Sequence, residues 1–517
     1  MIGLGKEAAR SNPLGLFLKL AVVASLLWEI STLIANGDFT NVLLFATGAG
    51  VLAVIGMIVS NWRRGVYFFL GWLLFEDLIR KYMGNNMSVY FGKDVLVGVI
   101  YLSFFMNRVE RDTEPFRPPF KYLLSLFFIL GLAQMFNPYS PSFFYGLLGM
   151  KLYYYYIPLM FVGYALMRSE HDLHTFLIIN IGIAAVIAVL GIIQGIFGAD
   201  ILNPHSGADI EVLGHLVRQT HSGVAVSRPV SVFVSDGRFA SYMLLVFILG
   251  IGTAGYLLLR TKGGRALAFP ALAVVGVALV MCAVRSAFVY AGASLLILSV
   301  GMLWGAPRHS GHSYRLFKAI RRSLVLIALA LALTVVIFPQ QIGARLTFYA
   351  ETLLPWSPDY EVATRVGSYP MTNFLSAFSQ GNWLIGHGIG TSSLGGQYVT
   401  RIIGVPALQI GVENGYGALV LELGILGLVL WLAWTVSLIV AAGKVLLQLK
   451  GTWAFPLAFS IFWFAFLLLF PFTWGSIVGY QNFVLNAYLW LLVGVLFRLP
   501  VLVKHNGPAT AESVRGT

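Results

Sequence analysis

The chain has 517 residues, 58% of them hydrophobic and only 11% charged, with a mean hydropathy of +0.81. Soluble domains are about a quarter charged, so a soluble globular protein is excluded; continuous rather than alternating apolar runs exclude a β-barrel. The net charge of +13 would suit nucleic acid, but membrane topology accounts for it, as shown below, and no nucleic-acid partner is expected.

About 20 apolar residues are needed to cross about 30 Å of hydrocarbon. Such runs predict an all-α polytopic membrane protein of about 12–14 transmembrane helices. Fourteen spans are read at roughly 14–34, 40–60, 65–79, 94–107, 122–136, 143–167, 174–198, 239–259, 266–284, 286–304, 323–340, 413–441, 453–473 and 483–499. The first run follows Lys6 and Arg10, and no small-residue cleavage site leads into a soluble domain. It reads as a span, not a signal peptide. With the N-terminus inside, the 34 Lys and Arg residues divide into 22 inside, 10 outside and 2 within spans. That bias sets the orientation. One stretch resists: Arg80, Lys81 and Lys93 fall in a short outer loop.

The chain reads as N-terminal spans 1–170, central spans 171–340, a large periplasmic loop 341–412, three last spans within 413–500 and a cytoplasmic tail 501–517. A second outer segment covers 199–238 within the central part. Outer segments of such length are usually functional. The single cysteine, Cys282, forbids intramolecular disulfides and cysteine metal clusters.

Ionisable side chains inside or beside spans come first in chain order. Glu29, Glu76, Asp77 and Lys151 are of this kind; helix-interior partners and snorkelling explain most such residues. Lys151 precedes Tyr153 to Tyr156. Consecutive tyrosines point all round a helix, so a sugar-stacking platform and an interfacial aromatic belt are both open. In the first outer loop, His205, His215 and His221 stand with Asp200, Asp209 and Glu211 at spacings that fit no common metal pattern.

Four arginines stand at the outer boundary. Arg228 and Arg238 lie in "SRPVSVFVSDGRFASYML", Arg285 in "CAVRSAFVYAG", and Arg365 in "ATRVGSYPMTNFLSAF". Guanidinium is weakly hydrated and offers five donors in a fork, so it suits phosphate. Arginines converging near a membrane surface suit a lipid-linked diphosphate. Arg228 and Arg238 equally suit topology setting or headgroup contact. Arg285 interrupts continuous apolar sequence, and charge at membrane depth points to function. Next, "NWLIGHGIGTSSLGG" holds Gly386, Gly388 and Gly390, which allow backbone that other residues avoid. Without a strand–helix context or a following Lys-Ser/Thr, it reads as a tight turn with His387 inside it.

"ENGYGALVLELGILG" then joins a polar head, Glu413-Asn414-Gly415-Tyr416, to an apolar run containing Glu422. A helix-start acid is favoured by the dipole, often by under ~1 kcal/mol. Glu422 lies nine residues on, about 13 Å along a helix. That is too far for the same proton, and it reads as a packing or hydrogen-bond partner. Gly417, Gly424 and Gly427 recur at helical spacing and would allow close helix approach.

Glu413-Asn414-Gly415-Tyr416 followed by Glu422-Leu423-Gly424-Ile425-Leu426-Gly427 resembles the signature of the O-antigen ligase and O-antigen polymerase superfamily. "RPVSVF...FASYM", "VRSAF" and "GHGIGT" resemble further elements of that family, in the same order and over about 220–430. The first 170 residues match only in hydropathy. Family ligases carry His where this chain has Glu413, which favours a polymerase of O-antigen or exopolysaccharide over a ligase.

The resemblance implies a GT-C-like, metal-independent, inverting glycosyltransferase without cofactor, in the bacterial inner membrane. It implies a polyprenyl-diphosphate-linked glycan donor facing the periplasm and a glycan or lipid A core acceptor. Arg228 and Arg285 would stabilise the diphosphate, with Arg365 closing from the loop. Glu413 would take the acceptor proton, while Asn414 and Tyr416 would bond sugar, with Lys151, His387 and Arg238 nearby. A lipid or polysaccharide flippase shares the hydropathy, but no inverted repeat or matched pair of broken helices is found. Peptidoglycan polymerases of the shape-and-division family share the donor class, but Glu-Leu-Gly-Ile-Leu-Gly fits them less well.

Overall fold

The computed structural model describes residues 39–505, apart from positions 85, 107–114, 205–215, 220–222, 261–262, 306–309, 358–359, 361, 363, 394 and 407–411. The described chain is almost wholly helical. Helices α1 (Phe39–Ser60), α2 (Trp62–Tyr82), α3 (Met87–Met106) and α4 (Lys121–Gln134) come first. They are followed by α5 (Phe143–Tyr154), α6 (Leu159–Leu166) and α7 (Glu170–Phe197). A hairpin, β1 (Val217–Gln219) with β2 (Ala225–Ser227), precedes α8 (Asp236–Arg260), α9 (Arg265–Met281), α10 (Arg285–Gly305) and α11 (Ser310–Ile337). Three shorter helices follow: α12 (Pro339–Leu353), α13 (Tyr369–Ser379) and α14 (Gly396–Ile403). Last come α15 (Gly415–Gln448), α16 (Phe455–Leu467) and α17 (Phe483–His505).

Among the described residues, seven helices are long and apolar enough to cross a membrane, and four shorter apolar helices run from 10 to 17 residues. The protein is a multi-pass helical membrane protein for which the bilayer is the solvent. The difference from fourteen spans has local causes. The span at 14–34 lies outside the described residues. The stretch 143–167 is two helices, because Pro158 caps the start of α6 and lacks the N–H that would continue α5. The stretch 65–79 is helical but lies in a helix that buries Glu76, Asp77 and Arg80.

The described residues fall into two units. One holds 39–69 and 94–106; the other holds 70–93 and everything from 107. In the first, Trp62 meets Phe104 edge to face at 5.0 Å, and Ser103 Oγ donates to the Ile58 carbonyl at 3.1 Å. In the second, α8 is the axis, with 94% of its apolar window buried. Helix α6 crosses α17 at two glycines. A Cβ on Gly163 would lie 2.2 Å from Leu491 O, and one on Gly494 2.1 Å from Met160 O. Backbones meet there because no side chain intervenes. In the adjoining core Trp434 meets Trp431 edge to face at 5.0 Å and stacks on Trp490 at 5.7 Å.

Both long segments expected outside carry structure of their own. The hairpin in 199–238 is antiparallel, with Val217 opposite Ser227. The segment 341–412 is largely helical, holding most of α12 and all of α13 and α14.

Candidate functional site: an arginine group and a broken helix

Arg228 and Arg285 come together. Helix α9 stops at Met281, the chain turns through Ala283 with φ +49°, and Arg285 opens α10. The tight turn explains why almost no loop separates two apolar runs. Arg228 leaves the hairpin, its N–H donating to the Leu216 carbonyl at 2.8 Å. Its Nη1 donates to Asp236 Oδ2 at 2.7 Å, and Asp236 is favoured at the start of α8 by the helix dipole. Burial first, with the neighbouring Arg218 and Arg285 guanidinium groups adding to it, pulls Arg228 below its ordinary range; Asp236 opposes them. Arginine does not lose its proton in proteins. The downward pull therefore reports first the cost of burying the charge and only then the like charge of its two neighbours. Arg228 Nε is buried without a hydrogen-bond partner among the described residues.

A residue that the sequence reading passed over holds this group in place. Arg345, on α12, is almost fully buried. It donates to the carbonyls of Met281 at 3.1 Å, Gln341 at 2.8 Å, Gly195 at 2.9 Å and Ser227 at 2.8 Å. Ser227 adjoins Arg228, and Met281 ends the helix before Arg285. Backbone acceptors have no side-chain signature, so nothing in the sequence marks this role.

Arg365 and Glu413 also meet, 4.0 Å apart, with 57% and 65% of their side chains exposed. Such a pair is worth ~0–1 kcal/mol in water. Arg365 lies 4.9 Å from the centre of the Tyr369 ring. The hydrogen bond from the Tyr369 hydroxyl to Glu413 raises the phenol above its ordinary range. Asn414 behaves differently from the sugar-binding role expected of it. It is buried and caps α15, its Oδ1 accepting from Gly417 N at 2.9 Å. Its Nδ2 donates to Pro370 O at 3.1 Å and Trp474 O at 2.7 Å. The whole amide is thus spent on fixing α13 and the 473–475 turn against the mouth of α15. Tyr416 is half-buried, with its hydroxyl 3.4 Å from Leu469 O and its ring 5.9 Å from Trp474. Tyr290, on the helix that Arg285 opens, meets Phe472 at 4.8 Å. The 472–474 segment thus touches α10 through Phe472 and the mouth of α15 through Trp474.

Two sequence motifs prove to be one structural unit. Helix α15 breaks at Gly424, with φ +72° and ψ −177°. The "GHGIGT" turn is pressed into the break, so Gly424 serves as a hinge in its own helix and not as the helix–helix contact expected of it. His387 N donates to Leu421 O at 2.7 Å, Gly388 N to Glu422 O at 3.0 Å, and Ile425 N to Trp383 O at 2.9 Å. These bonds satisfy backbone that a broken membrane helix would leave orphaned. Gly386, Gly388 and Gly390 have φ of +83°, +99° and +87°. A Cβ on Gly386 would lie 2.6 Å from Gly424 N. Glu422 is fully buried and accepts from Gly390 N at 3.1 Å, Ser392 N at 2.9 Å and Ser393 Oγ at 2.8 Å. It is the hydrogen-bond partner its depth predicts. His387 is buried, its Nδ1 3.2 Å from Leu421 O, inside the tight turn expected.

Arg238 and Lys151 stand elsewhere. Arg238 Nη1 donates to Asp77 at 2.7 Å, and Lys151 Nζ lies over the rings of Tyr90 and Phe91 at 4.4 and 4.7 Å. Tyr153, Tyr154 and Tyr156 are core residues. Tyr154 donates to Phe127 O at 2.7 Å, so this side of the tyrosine run stacks on protein rather than on sugar. His205, Asp209, Glu211, His215 and His221 lie outside the described residues. Among the described residues no cluster of His, Cys, Asp and Glu could hold a metal. The chain matches no protein-family model, and no curated protein or solved structure proved similar to it.

Proposed function

We propose that this protein is a membrane glycosyltransferase acting on polyprenyl-diphosphate-linked oligosaccharide at the outer face of a bacterial inner membrane. Polymerisation of O-antigen or exopolysaccharide is the reaction put forward, in a GT-C-like frame. The observation that carries the reading is the gathering of the Arg218 and Arg285 guanidinium groups within electrostatic reach of Arg228, which itself pairs with Asp236. Guanidinium groups gathered at a membrane boundary suit a lipid-borne diphosphate.

In the reaction, an acceptor sugar hydroxyl attacks the anomeric carbon. The bond from that carbon to the diphosphate oxygen breaks, and its electron pair leaves with the diphosphate. Arg228 and Arg285 take up the developing negative charge, and a preorganised donor of this kind is worth about 10²–10³ in rate. The Glu413 carboxylate receives the acceptor proton, with Arg365 and Tyr369 orienting it. Tyr416 presents its ring beside the sugar. Transfer to lipid A core is the second reading, with Glu413 standing where the ligases of the resembled family carry His.

The test uses purified protein with a polyprenyl-diphosphate-linked oligosaccharide and follows product length on gels. A ladder is expected from wild type, with Arg285→Ala slowed about 10²–10³-fold and Glu413→Gln strongly impaired. A single transfer that requires lipid A core would make the protein a ligase. Absence of product with every lipid-linked donor, together with passage of labelled lipid across proteoliposomes, would replace the enzyme with a transporter.

A further inference from the structure

The segment 366–412 is nearly without charge. Between Arg365 and Glu413 the sequence holds one charged residue, Arg401. The 35 residues from 366 to 400 hold none, where a water-borne stretch of that length would carry about nine at the usual quarter share. Its apolar side chains nevertheless stand open. Met371, Leu375, Leu384 and Ile385 are each at least half exposed, and Trp383 is exposed with them.

Met371 and Leu375 are four residues apart on α13 and so share a face. Phe378 follows and meets the Trp383 ring at 5.7 Å; Leu384 and Ile385 come next in the chain. The hydroxyls of α13 are spent on the helix itself. Thr372 Oγ1 donates to Ser368 O at 2.9 Å, Ser376 Oγ to Asn373 O at 2.8 Å and Ser379 Oγ to Ser376 O at 2.7 Å. Bonding back to nearby carbonyls satisfies such groups where no water reaches them.

The exposed face adjoins a membrane span. Helix α13 lies against the first turn of α15: a Cβ on Gly417 would come 3.4 Å from Phe374 Cα, and Glu413 N donates to Asn373 Oδ1 at 3.4 Å. The turn after α13 then reaches the break. There a Cβ on Gly424 would run into the Leu384 carbonyl, and Ile425 N donates to Trp383 O. The segment therefore follows α15 from Gly417 to Gly424, about 10 Å. Just past the break, Leu426 and Val429 are more than half exposed, on a helix long and apolar enough to cross a membrane.

Depth follows from the next charge. From Ile425 the sequence is uncharged up to Lys444, nineteen residues on, or about 28 Å of helix. Hydrocarbon is about 30 Å thick. With Lys444 at one boundary, the 383–385 turn stands at the other, where tryptophan is at home, and α13 lies just beyond it.

We propose that the exposed apolar face formed by Met371, Leu375, Trp383, Leu384 and Ile385 is seated in lipid at the boundary opposite Lys444, with fatty acyl chains as its occupant. Such a seat does not depend on the reaction proposed above. It does fix where Glu413 works: α13 holds the Glu413 backbone, so the carboxylate stands at the level of lipid headgroups and not out in the aqueous phase.

The test is spin labelling of purified full-length protein in phosphatidylcholine–phosphatidylglycerol liposomes. Collision rates are measured with oxygen, which concentrates in lipid, and with a nickel chelate, which stays in water. Single cysteines replace Leu375, Leu384, Val429 and Gln397; the native Cys282 is buried. Labels at Leu375→Cys and Leu384→Cys should give an oxygen-to-nickel ratio at least about threefold above that at Gln397→Cys, with Leu384→Cys close to Val429→Cys. Met371→Cys reads the same face should either variant fail to fold. A nickel-dominated ratio at both positions, as at Gln397→Cys, overturns the lipid seat and makes the segment a solvated loop. An immobile label that neither reagent reaches means that protein, such as a second copy of this chain, covers the face, and overturns the seat equally. Absence of glycan transfer by the same protein would remove the enzyme and leave the lipid seat standing.

Discussion

Arg345 sets the terms at the scale of single residues. One side chain serves four backbone carbonyls from α7, α9, α12 and β2, two of which, Ser227 and Met281, lie one and four residues before Arg228 and Arg285. Arg345→Met keeps much of the apolar stem and removes every donor. Each buried carbonyl left unpaired costs about 1–3 kcal/mol. The variant should unfold in detergent several degrees below wild type and bind farnesyl diphosphate more weakly at the Arg228–Arg285 group. An unchanged midpoint would mean that water replaces the guanidinium at no cost. Glu413 is the opposite case. It is exposed and loosely held, so Glu413→Gln should leave the midpoint within ~0.5 kcal/mol of wild type. Any loss of transfer in that variant would then report chemistry and not folding.

The broken helix is the informative element. Helix α15 survives a non-helical residue because the 382–396 turn supplies the missing partners, and the turn stays because Glu422 accepts three of its donors. Gly386→Ala attacks this unit at its tightest point. It forces a side chain onto φ +83° and into backbone at 2.6 Å. The expected loss is at least ~2 kcal/mol, seen as poor recovery of folded protein. Gly367→Ala, where a Cβ would meet nothing within 4 Å, should be recovered like wild type. Glu422→Gln keeps the shape but can turn an N–H₂ toward the N–H donors of Gly390 and Ser392. An unmet buried donor costs ~1–3 kcal/mol, so the variant should melt between wild type and Gly386→Ala.

This element also shows what the sequence discloses. The apolar runs disclosed the helices, because lipid demands length and hydropathy. The three spaced glycines disclosed a tight turn, and the depth of Glu422 disclosed a hydrogen-bond partner. Neither pattern told that the turn enters the helix. Gly424 reads like any helix-contact glycine, and a break mended by distant backbone leaves no periodicity behind. The meeting of Arg228 with Arg285 was legible from residue type and side of the membrane. The commitment of Asn414 to capping was not, because a cap and a sugar ligand use the same amide.

Over the whole molecule the question is which end faces outward. Of the 10 cations assigned outside, the structure buries Arg80, Lys93 and Arg345, where they bond protein groups rather than setting topology. The solvated outer charge is therefore smaller than the raw count, and the inside-positive bias steeper. Past its break at Gly424, helix α15 runs unbroken from Ile425 to Gln448, 24 residues, or about 36 Å at 1.5 Å per residue. That exceeds the hydrocarbon thickness of about 30 Å, so its two ends open on opposite sides. Gln397, before its start, and Gln448, at its end, are both exposed, and the only native cysteine, Cys282, is buried. Cysteine placed at each glutamine should thus label against a silent background. In intact spheroplasts a membrane-impermeant maleimide should react with Gln397→Cys and spare Gln448→Cys until the membrane is opened. The reverse pattern would turn the Arg228–Arg285 group and Glu413 toward the cytoplasm, where nucleotide-activated sugars are available, and the case for a lipid-linked donor would fall with the orientation.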